Sequence, residues 1–342
     1  MKMRNKDKVV LVSVGVILIF FLLIGFIQNR IDSKVGCGSR KKEVSSADMP
    51  YVPKGFKYIG GNISEGYVIE DKKTKSEFVW IPVSDISAFE NGNVSNDGTT
   101  SYTNSKTKYA DNTATTEYVN MLESVRKYGG FYIARYEAGK PEKYKDKMGL
   151  QINGEDIPVS IKGASVWGNI PWSDSTQRIE IGEKQIAGND MSPKDGALKV
   201  SRAMYKENNR HSEVASTLVY GCQWNAVCKY ISDEKSSSGE PYLLTASNSS
   251  NVTSENISKE QTALKTGQKD ANKIKNIYDL SGNIQEWTME YGNESRIARG
   301  DSYETKALQE TPATSTAYFP DFKKQSLGFR VTLYIKVENG KK

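Results

Sequence analysis

An uncharged run of nineteen residues near the start of the chain, Val9–Ile27, constrains the fold most. At a rise of about 1.5 Å per residue, a helix of this length just reaches across a hydrocarbon layer of roughly 30 Å. The basic side chains that precede the run are opposed only by Asp7, so the positive-inside rule places the N-terminus in the cytoplasm. The sequence therefore predicts one transmembrane helix, with the bulk of the chain outside the cytoplasm.

A cleaved signal peptide is the alternative interpretation, because its basic start and apolar centre look similar. The apolar run is longer than a typical signal-peptide core, however, and Gln28-Asn29-Arg30 follows it where small residues would mark a cleavage site. We therefore expect an uncleaved anchor that follows a cytoplasmic tail over residues 1–8 and precedes a flexible stalk over residues 28–50. The predicted location is the cell membrane, with a single span and an extracytoplasmic C-terminal domain.

The charge balance beyond the anchor excludes nucleic-acid binding. The whole chain has a net charge of +6, but residues 1–30 hold five basic residues and one acid, so the remainder is nearly neutral and lacks a basic footprint. The three cysteines make no disulfide framework, and Cys222 and Cys228 lie six residues apart on different faces of any helix. Four residues of this segment follow helical spacing and predict a core-facing helix, namely Trp224, Val227, Cys228 and Ile231.

Short aromatic and β-branched runs separated by turn residues predict a globular domain over residues 51–338 that begins with strands. The predicted strands at its start are Gly55–Ile59, Gly66–Glu70, Ser76–Val83 and Gly129–Ala138. Two polar stretches interrupt the domain, at about residues 86–116 and 232–273. Short strands and turns continue from Asn276 to Ile335. The pattern is typical of one irregular α+β domain with long insertions.

Five sequence blocks occur in an order that resembles the sulfatase-modifying-factor family, which includes the formylglycine-generating enzymes and the ergothioneine-type sulfoxide synthases. The blocks are Phe131–Glu137, Tyr220–Ala226, Asp279–Trp287, Arg299–Tyr303 and Gly328–Val331. The resemblance covers about residues 54–335. It implies a C-type-lectin-like fold of the formylglycine-generating type, placed after the single N-terminal transmembrane helix.

The third block places two carboxylates, Asp279 and Glu286, on either side of a Gly-Asn turn. In calcium-containing members of the family this block surrounds the ion. The resemblance implies four ligands here, namely the side chains of Asp279 and Glu286 and the carbonyls of Gly282 and Ile284. Ca²⁺ accepts mixed carboxylate and carbonyl sets of this kind. The alternative is a turn in which Glu286 caps backbone amides beside a core tryptophan.

Composition argues against both known activities of the family. Formylglycine generation depends on two cysteines shortly after the Arg-Gly-Gly-Ser block, and residues 302–312 contain none. Cu(I) selects thiolates, so oxygen ligands do not replace them. The sulfoxide synthases hold iron with three histidines, and this chain has only His211. We therefore predict no catalytic residue and no enzyme activity.

Two enzyme interpretations stay open beside this prediction. One is a metal-dependent oxidase of the family with a rewired site. The other is a glycosidase-like pair of carboxylates, either Asp279 with Glu286 or Glu137 with Glu290, although the sequence spacing does not specify their separation.

A fold that lacks its catalytic ligands and is tethered outside the membrane predicts a binding protein. Some relatives of this fold display variable side chains between the Glu-Trp block and the terminal Gly-Phe-Arg, which implies the same surface here. The residues predicted to bind a ligand are Tyr291, Asn293, Glu294, Arg296, Tyr303 and Tyr318. Tyrosine supplies large amphipathic contact area at low entropic cost. We expect a protein or glycan ligand and structural calcium; a structural cell-envelope protein is the remaining alternative.

Overall fold

A computed structural model describes most of the chain beyond its first 48 residues. The described residues are 49–90, 110–111, 115–140, 157–173, 179–181, 184–186, 196–206, 213–232, 262–280, 282–292, 294–304, 312 and 314–337. The chain divides into two units, residues 1–49 and residues 50–342. Within the described ranges, no helix is long and apolar enough to cross a membrane. The predicted span Val9–Ile27 and most of the predicted stalk lie outside them.

The larger sheet has six antiparallel strands in the order β1-β2-β3-β4-β14-β7. The strands are β1 Phe56–Gly60, β2 Val68–Asp71, β3 Glu77–Pro82, β4 Gly130–Ala134, β14 Val331–Ile335 and β7 Val214–Leu218. Every residue of β4 and β14 is buried. Both strands therefore lie in the interior of the domain and bury both faces, which agrees with their runs of apolar and β-branched residues.

The second sheet has four strands in the order β12-β11-β10-β13, with β10 and β13 parallel and the other pairs antiparallel. Its strands are β10 Gln285–Gly292, β11 Ser295–Arg299, β12 Ser315–Tyr318 and β13 Leu327–Phe329. Two short hairpins belong to neither of these sheets. They are formed by β5 Ile179–Ile181 with β6 Lys184–Ile186 and by β8 Lys273–Ile274 with β9 Ile277–Tyr278.

Four helices flank the sheets in the described part of the chain. They are α1 Ile86–Glu90, α2 Thr116–Tyr128, α3 Ala197–Met204 and α4 Gly221–Ser232. The predicted core-facing helix is confirmed as α4. Its four predicted core residues are all buried, namely Trp224, Val227, Cys228 and Ile231. Cys222 and Cys228 are both free and buried.

Helix α2 was missed by the sequence analysis, although its signals are local. Thr115 caps its start, where the hydroxyl accepts a hydrogen bond from the Tyr118 amide at 3.1 Å. Gly129 ends it in the left-handed conformation, with φ of 76°. Its buried residues, which include Met121 and Val125, follow helical spacing. The predicted insertion at 86–116 therefore stops where this helix begins.

A single residue, Arg330, separates β13 in the smaller sheet from β14 in the larger one. The chain thus changes sheets at the Gly-Phe-Arg block. The guanidinium of Arg330 donates to the carbonyl oxygens of Ala134 at 3.1 Å and Tyr278 at 2.8 Å. Arg330 therefore joins the end of β4 to β9. The mixed α and β architecture agrees with the predicted fold class in its coarser form.

Candidate functional site

The Gly-Asn turn before β10 is held in place by a distant glutamate. Glu137 accepts hydrogen bonds from the side-chain amide of Asn283 and, at 3.2 Å, from the backbone amide of Ile284. The side-chain oxygen of Asn283 accepts from the Leu264 amide at 2.8 Å, and its carbonyl accepts from the Tyr303 amide at 2.9 Å. Asn283 can hold this position because it adopts a left-handed φ of 57°, which asparagine tolerates.

The two carboxylates on either side of the turn have different partners. Glu286 binds Arg330, whose Nη2 lies 2.7 Å from Oε1 and whose Nε lies 3.0 Å from Oε2. Asp279 accepts from the Asn272 side chain at 2.9 Å and from the Gly267 amide at 3.1 Å. All of the charged groups in these contacts are buried. We call the buried side chains of Glu137, Asp279, Glu286 and Arg330 the structural centre. Arg330 supplies its positive charge.

Three buried carboxyl groups share this centre with one arginine. Burial raises the pKa of Glu137 well above its ordinary value, and the charges of Asp279 and Glu286 raise it further. Burial also raises the pKa of Asp279, against the hydrogen bonds from Asn272 and Gly267. The pKa of Glu286 is raised by burial, whereas the charge of Arg330 lowers it. The centre therefore binds protons more readily than exposed carboxylates do.

One of the predicted calcium ligands, Glu286, already has a cation as its partner. Calcium needs six to eight oxygens, but both oxygens of Glu286 are engaged by the guanidinium of Arg330. Within the described ranges, no group of three or more His, Cys, Asp and Glu side chains is arranged to hold a metal ion. Calcium bound through Asp279, Gly282, Ile284 and Glu286 stays a prediction of the sequence, and the arrangement of Arg330 argues against it.

Glu290, the remaining carboxylate of the two proposed acid–base pairs, also has an arginine as its partner. Its oxygens accept from Nε and Nη2 of Arg299, each at 2.6 Å, and Arg299 is fully buried. Glu286 and Glu137 are engaged as described above. All four carboxylates of the two proposed pairs are buried, each at most 4% exposed.

The residues predicted to bind a ligand do not all reach the surface. Tyr291 and Glu294 are partly exposed around the hairpin between β10 and β11, and Tyr318 is partly exposed at the end of β12. Arg296 and Tyr303, by contrast, are buried. Asn293 lies outside the described residues. The structure therefore places Tyr291 and Glu294 on one hairpin and Tyr318 on the edge strand of the sheet.

The prediction for Arg296 is corrected by its surroundings. Its guanidinium carbon lies 3.7 Å from the ring centroid of Trp172, and Nη1 donates to the Met289 carbonyl at 3.1 Å. Burial lowers the pKa of Arg296 to about 9. Arg296 thus packs beneath the sheet against an aromatic ring, where a ligand on the surface does not contact it. Tyr303 is corrected for the same reason, because it is only 5% exposed.

A turn after β12 carries aromatic rings that the sequence analysis did not include in the site. Phe319 is 60% exposed and Phe322 is 39% exposed. The Phe322 amide donates to the Phe319 carbonyl at 3.0 Å, and the carbonyl of the intervening Pro320 accepts from the Ser173 amide at 3.1 Å. The Phe322 ring stacks on Tyr318, with centroids 4.7 Å apart and planes 4° apart. We call residues 318–322 the aromatic turn; its Phe-Pro-Asp-Phe sequence is typical of a turn with proline at its second position.

The fold and the order of the blocks define a class of irregular mixed α/β domains. Its Gly-Asn-Ile-Gln-Glu-Trp turn contacts the Gly-Phe-Arg segment, where the chain crosses from one sheet to the other. Residues 218–335 match the family model of the sulfatase-modifying factor enzyme 1-like domain, which confirms the resemblance over that part of the chain. The matched residues amount to about a third of the chain. No curated protein matches the chain.

Several solved structures are similar to the chain at low sequence identity. A crystal structure of CarF is 16% identical with a TM-score of 0.34, and the match covers 61% of this chain and 87% of CarF. PvdO from Pseudomonas aeruginosa is 15% identical with a TM-score of 0.37, and the match covers 79% of this chain and 98% of PvdO. Treponema denticola variable protein 1 is 14% identical with a TM-score of 0.29, over 81% of this chain and 98% of that protein. TM-scores below 0.5 support no conclusion about function.

Proposed function

We propose that the chain is a membrane-anchored, extracytoplasmic binding protein that recognises a protein or glycan ligand through a C-type-lectin-like domain. The anchor is the apolar run Val9–Ile27 of the sequence. The observation that carries the proposal is the aromatic turn, because it exposes Phe319 and Phe322 at the edge of the four-stranded sheet. Aromatic residues, Phe among them, are enriched at interfaces relative to the rest of a protein surface.

Two features support recognition by this surface. The aromatic turn is fixed before a ligand arrives, by its own hydrogen bond and by the contact of Pro320 with Ser173, which lowers the entropic cost of binding. Polar groups flank it, since Asp321 and Lys323 are exposed and the Nζ of Lys324 lies 5.5 Å from the centroid of the Tyr318 ring. An exposed aromatic surface with a polar rim suits both a sugar ring and an apolar side chain.

The absence of the family's metal ligands from the sequence supports a non-catalytic role. Residues 302–312 contain no cysteine, and His211 is the only histidine of the chain. The proposal therefore includes neither formylglycine generation nor sulfoxide synthesis.

The test is binding of the full chain, in detergent, to arrays of defined glycans and of displayed peptides. The double variant Phe319→Ser and Phe322→Ser is compared with Val119→Ser, a matched change of a side chain that is 44% exposed on α2. We expect saturable binding by the wild type and by the Val119 variant, and at least tenfold weaker binding by the double variant, which corresponds to about 1.4 kcal/mol.

Two other results would contradict the proposal. Stoichiometric copper or iron in the purified protein, with turnover of an oxidase substrate, would favour the enzyme alternative. Stable self-assembly without binding to either array would favour a structural protein of the cell envelope.

A further inference from the structure

A polar cavity of about 450 Å³ lies between helices α2 and α3 and strands β7 and β14. Its volume falls within the range of about 300–1,000 Å³ that is usual for small-molecule sites. The cavity uses none of the residues of the aromatic turn or of the centre around Glu286 and Arg330. It is therefore a separate site on the six-stranded sheet.

The lining of the cavity includes an ion pair that is already complete. Oε2 of Glu117 accepts from Nε of Arg202 at 2.7 Å. Oε1 accepts from the hydroxyls of Thr217 at 2.7 Å and Tyr220 at 2.9 Å. The negative charge of Glu117 is thus neutralised by Arg202 and held in place by two hydroxyl groups. It repels an incoming anion much less than a lone carboxylate does.

Two neutral polar groups of the lining, Ser216 and Tyr205, are also engaged with the protein. The Ser216 hydroxyl accepts from the Tyr205 amide at 2.9 Å and donates to the Ser201 carbonyl at 2.6 Å. The Tyr205 hydroxyl donates to Asp71 at 2.9 Å. Since these contacts fix Tyr205 and Ser216, the shape of this part of the lining is set before a ligand enters.

The remaining charges of the lining are positive in balance. Lys206 and Lys336 line the cavity together with a single further acid, Glu123. In the part of the chain that the structure describes, neither lysine side chain makes an ion pair or a hydrogen bond with another residue. Two ammonium groups at one cavity attract an anion, because the low-dielectric walls concentrate their field.

We propose that this cavity binds a small organic anion whose carboxylate or phosphate group contacts Lys206 and Lys336. The Nζ groups of the two lysines supply up to three donors each, which suits the several acceptor oxygens of either group. The body of the ligand lies over the rings of Tyr205 and Tyr334, which form the aromatic part of the lining.

The test measures binding of inorganic phosphate and of acetate to the full chain by calorimetry and by thermal shift, with the ionic strength held constant by potassium chloride. We expect at least one of the two anions to bind saturably and to raise Tm above the value in chloride. The double variant Lys206→Gln and Lys336→Gln should bind about tenfold more weakly. Comparison of the two anions distinguishes a phosphate ligand from a carboxylate ligand.

The matched control is the double variant Lys72→Gln and Lys73→Gln, which removes the same two positive charges at exposed positions outside the cavity. It should bind the anion as the wild type does, which separates a local site from a general charge effect. Because Lys206 is exposed and Lys336 is only partly buried, the variants should keep the Tm of the wild type in chloride. No saturable binding of either anion, or equal binding by the wild type and the double lysine variant, would overturn the proposal.

Discussion

Arg330 and Glu286 form a buried ion pair across the point where the chain passes from one sheet to the other. Their shortest contact joins Nη2 to Oε1 at 2.7 Å, and both side chains are at most 1% exposed. Glu286 lies on β10 of the smaller sheet, whereas Arg330 immediately precedes β14 of the larger one. The pair thus fixes how the two sheets are positioned at Arg330, the residue at which the chain leaves one sheet and enters the other.

Removing one partner of this pair should destabilise the domain strongly. Arg330→Gln leaves the Glu286 carboxylate buried without a cation, and we expect a loss of about 3–5 kcal/mol in the free energy of unfolding. The double variant Arg330→Gln and Glu286→Gln should lose less than the sum of the two single changes, because it leaves no uncompensated charge. Chemical denaturation of the four proteins measures this, and strict additivity would contradict the pairing.

Calcium should have little effect on stability if Arg330 is the cation of the centre. We expect the Tm of the purified chain to be the same in calcium and in chelator, because the ion would have to displace the guanidinium from Glu286. The alternative from the sequence has a clear signature: saturation at a hundred times the dissociation constant adds about 2.7 kcal/mol of stability. A calcium-dependent rise in Tm that Glu286→Gln abolishes would restore the calcium interpretation.

The strands at the start of the domain and helix α4 were predictable, because alternation, turn residues and helical spacing are local signals. The contact of Glu286 with Arg330 spans 44 residues, and that of Glu137 with Asn283 spans 146 residues. No local pattern indicates which carboxylate pairs with which arginine, so the sequence could not show that Arg330 lies at this block.

The burial of two residues of the predicted ligand-binding surface could not be expected from the sequence for a related reason. Arg296 and Tyr303 are polar or amphipathic residues in a segment of mixed character, and nothing nearby in the sequence predicts their burial. The contact of Arg296 with Trp172 joins residues that are far apart in the chain. The aromatic turn is easier to predict from the sequence, since Phe319-Pro320-Asp321-Phe322 carries a turn signal between two aromatic residues.

Asp111 should make stability depend on pH between about 4 and 6. Its carboxylate accepts from the amides of Gly221 at 2.6 Å and Cys222 at 3.1 Å, at the start of α4. Burial and then the charge of Glu290 raise its pKa from 3.8 to about 6, against those amide hydrogen bonds. Because the folded state holds the proton more tightly, this contribution is present below pH 3.8 and is lost as the pH rises through about 6.

The measurement is the Tm of the wild type and of Asp111→Asn at intervals across this range. The variant resembles the protonated form, so the wild type should lose more stability than the variant as the pH rises. Other buried carboxyl groups contribute to both proteins, and the difference between the two curves isolates Asp111. Parallel curves would show that the pKa of Asp111 is the same in the folded and unfolded states.

Gly221 should not tolerate a side chain. A Cβ at this position would lie 2.4–2.6 Å from the side chain of Glu290, and Glu290 cannot retreat easily because Arg299 holds both of its oxygens. We expect Gly221→Ala to cost about 1–3 kcal/mol through overpacking. Equilibrium unfolding in urea measures the change. Wild-type stability in this variant would mean that Glu290 and Arg299 shift together at little cost.

The position of β14 between β4 and β7 affects the order in which the domain can fold. The first four strands end at Ala134, but their sheet cannot connect to β7 until Val331–Ile335 is in place. Pairings this distant in sequence raise the contact order and slow folding. Until β14 has paired with both strands, β4 and β7 each present an unpaired edge on which another chain can add a strand. Refolding yield should therefore depend on protein concentration, and a chaperone that covers these two edges would raise it.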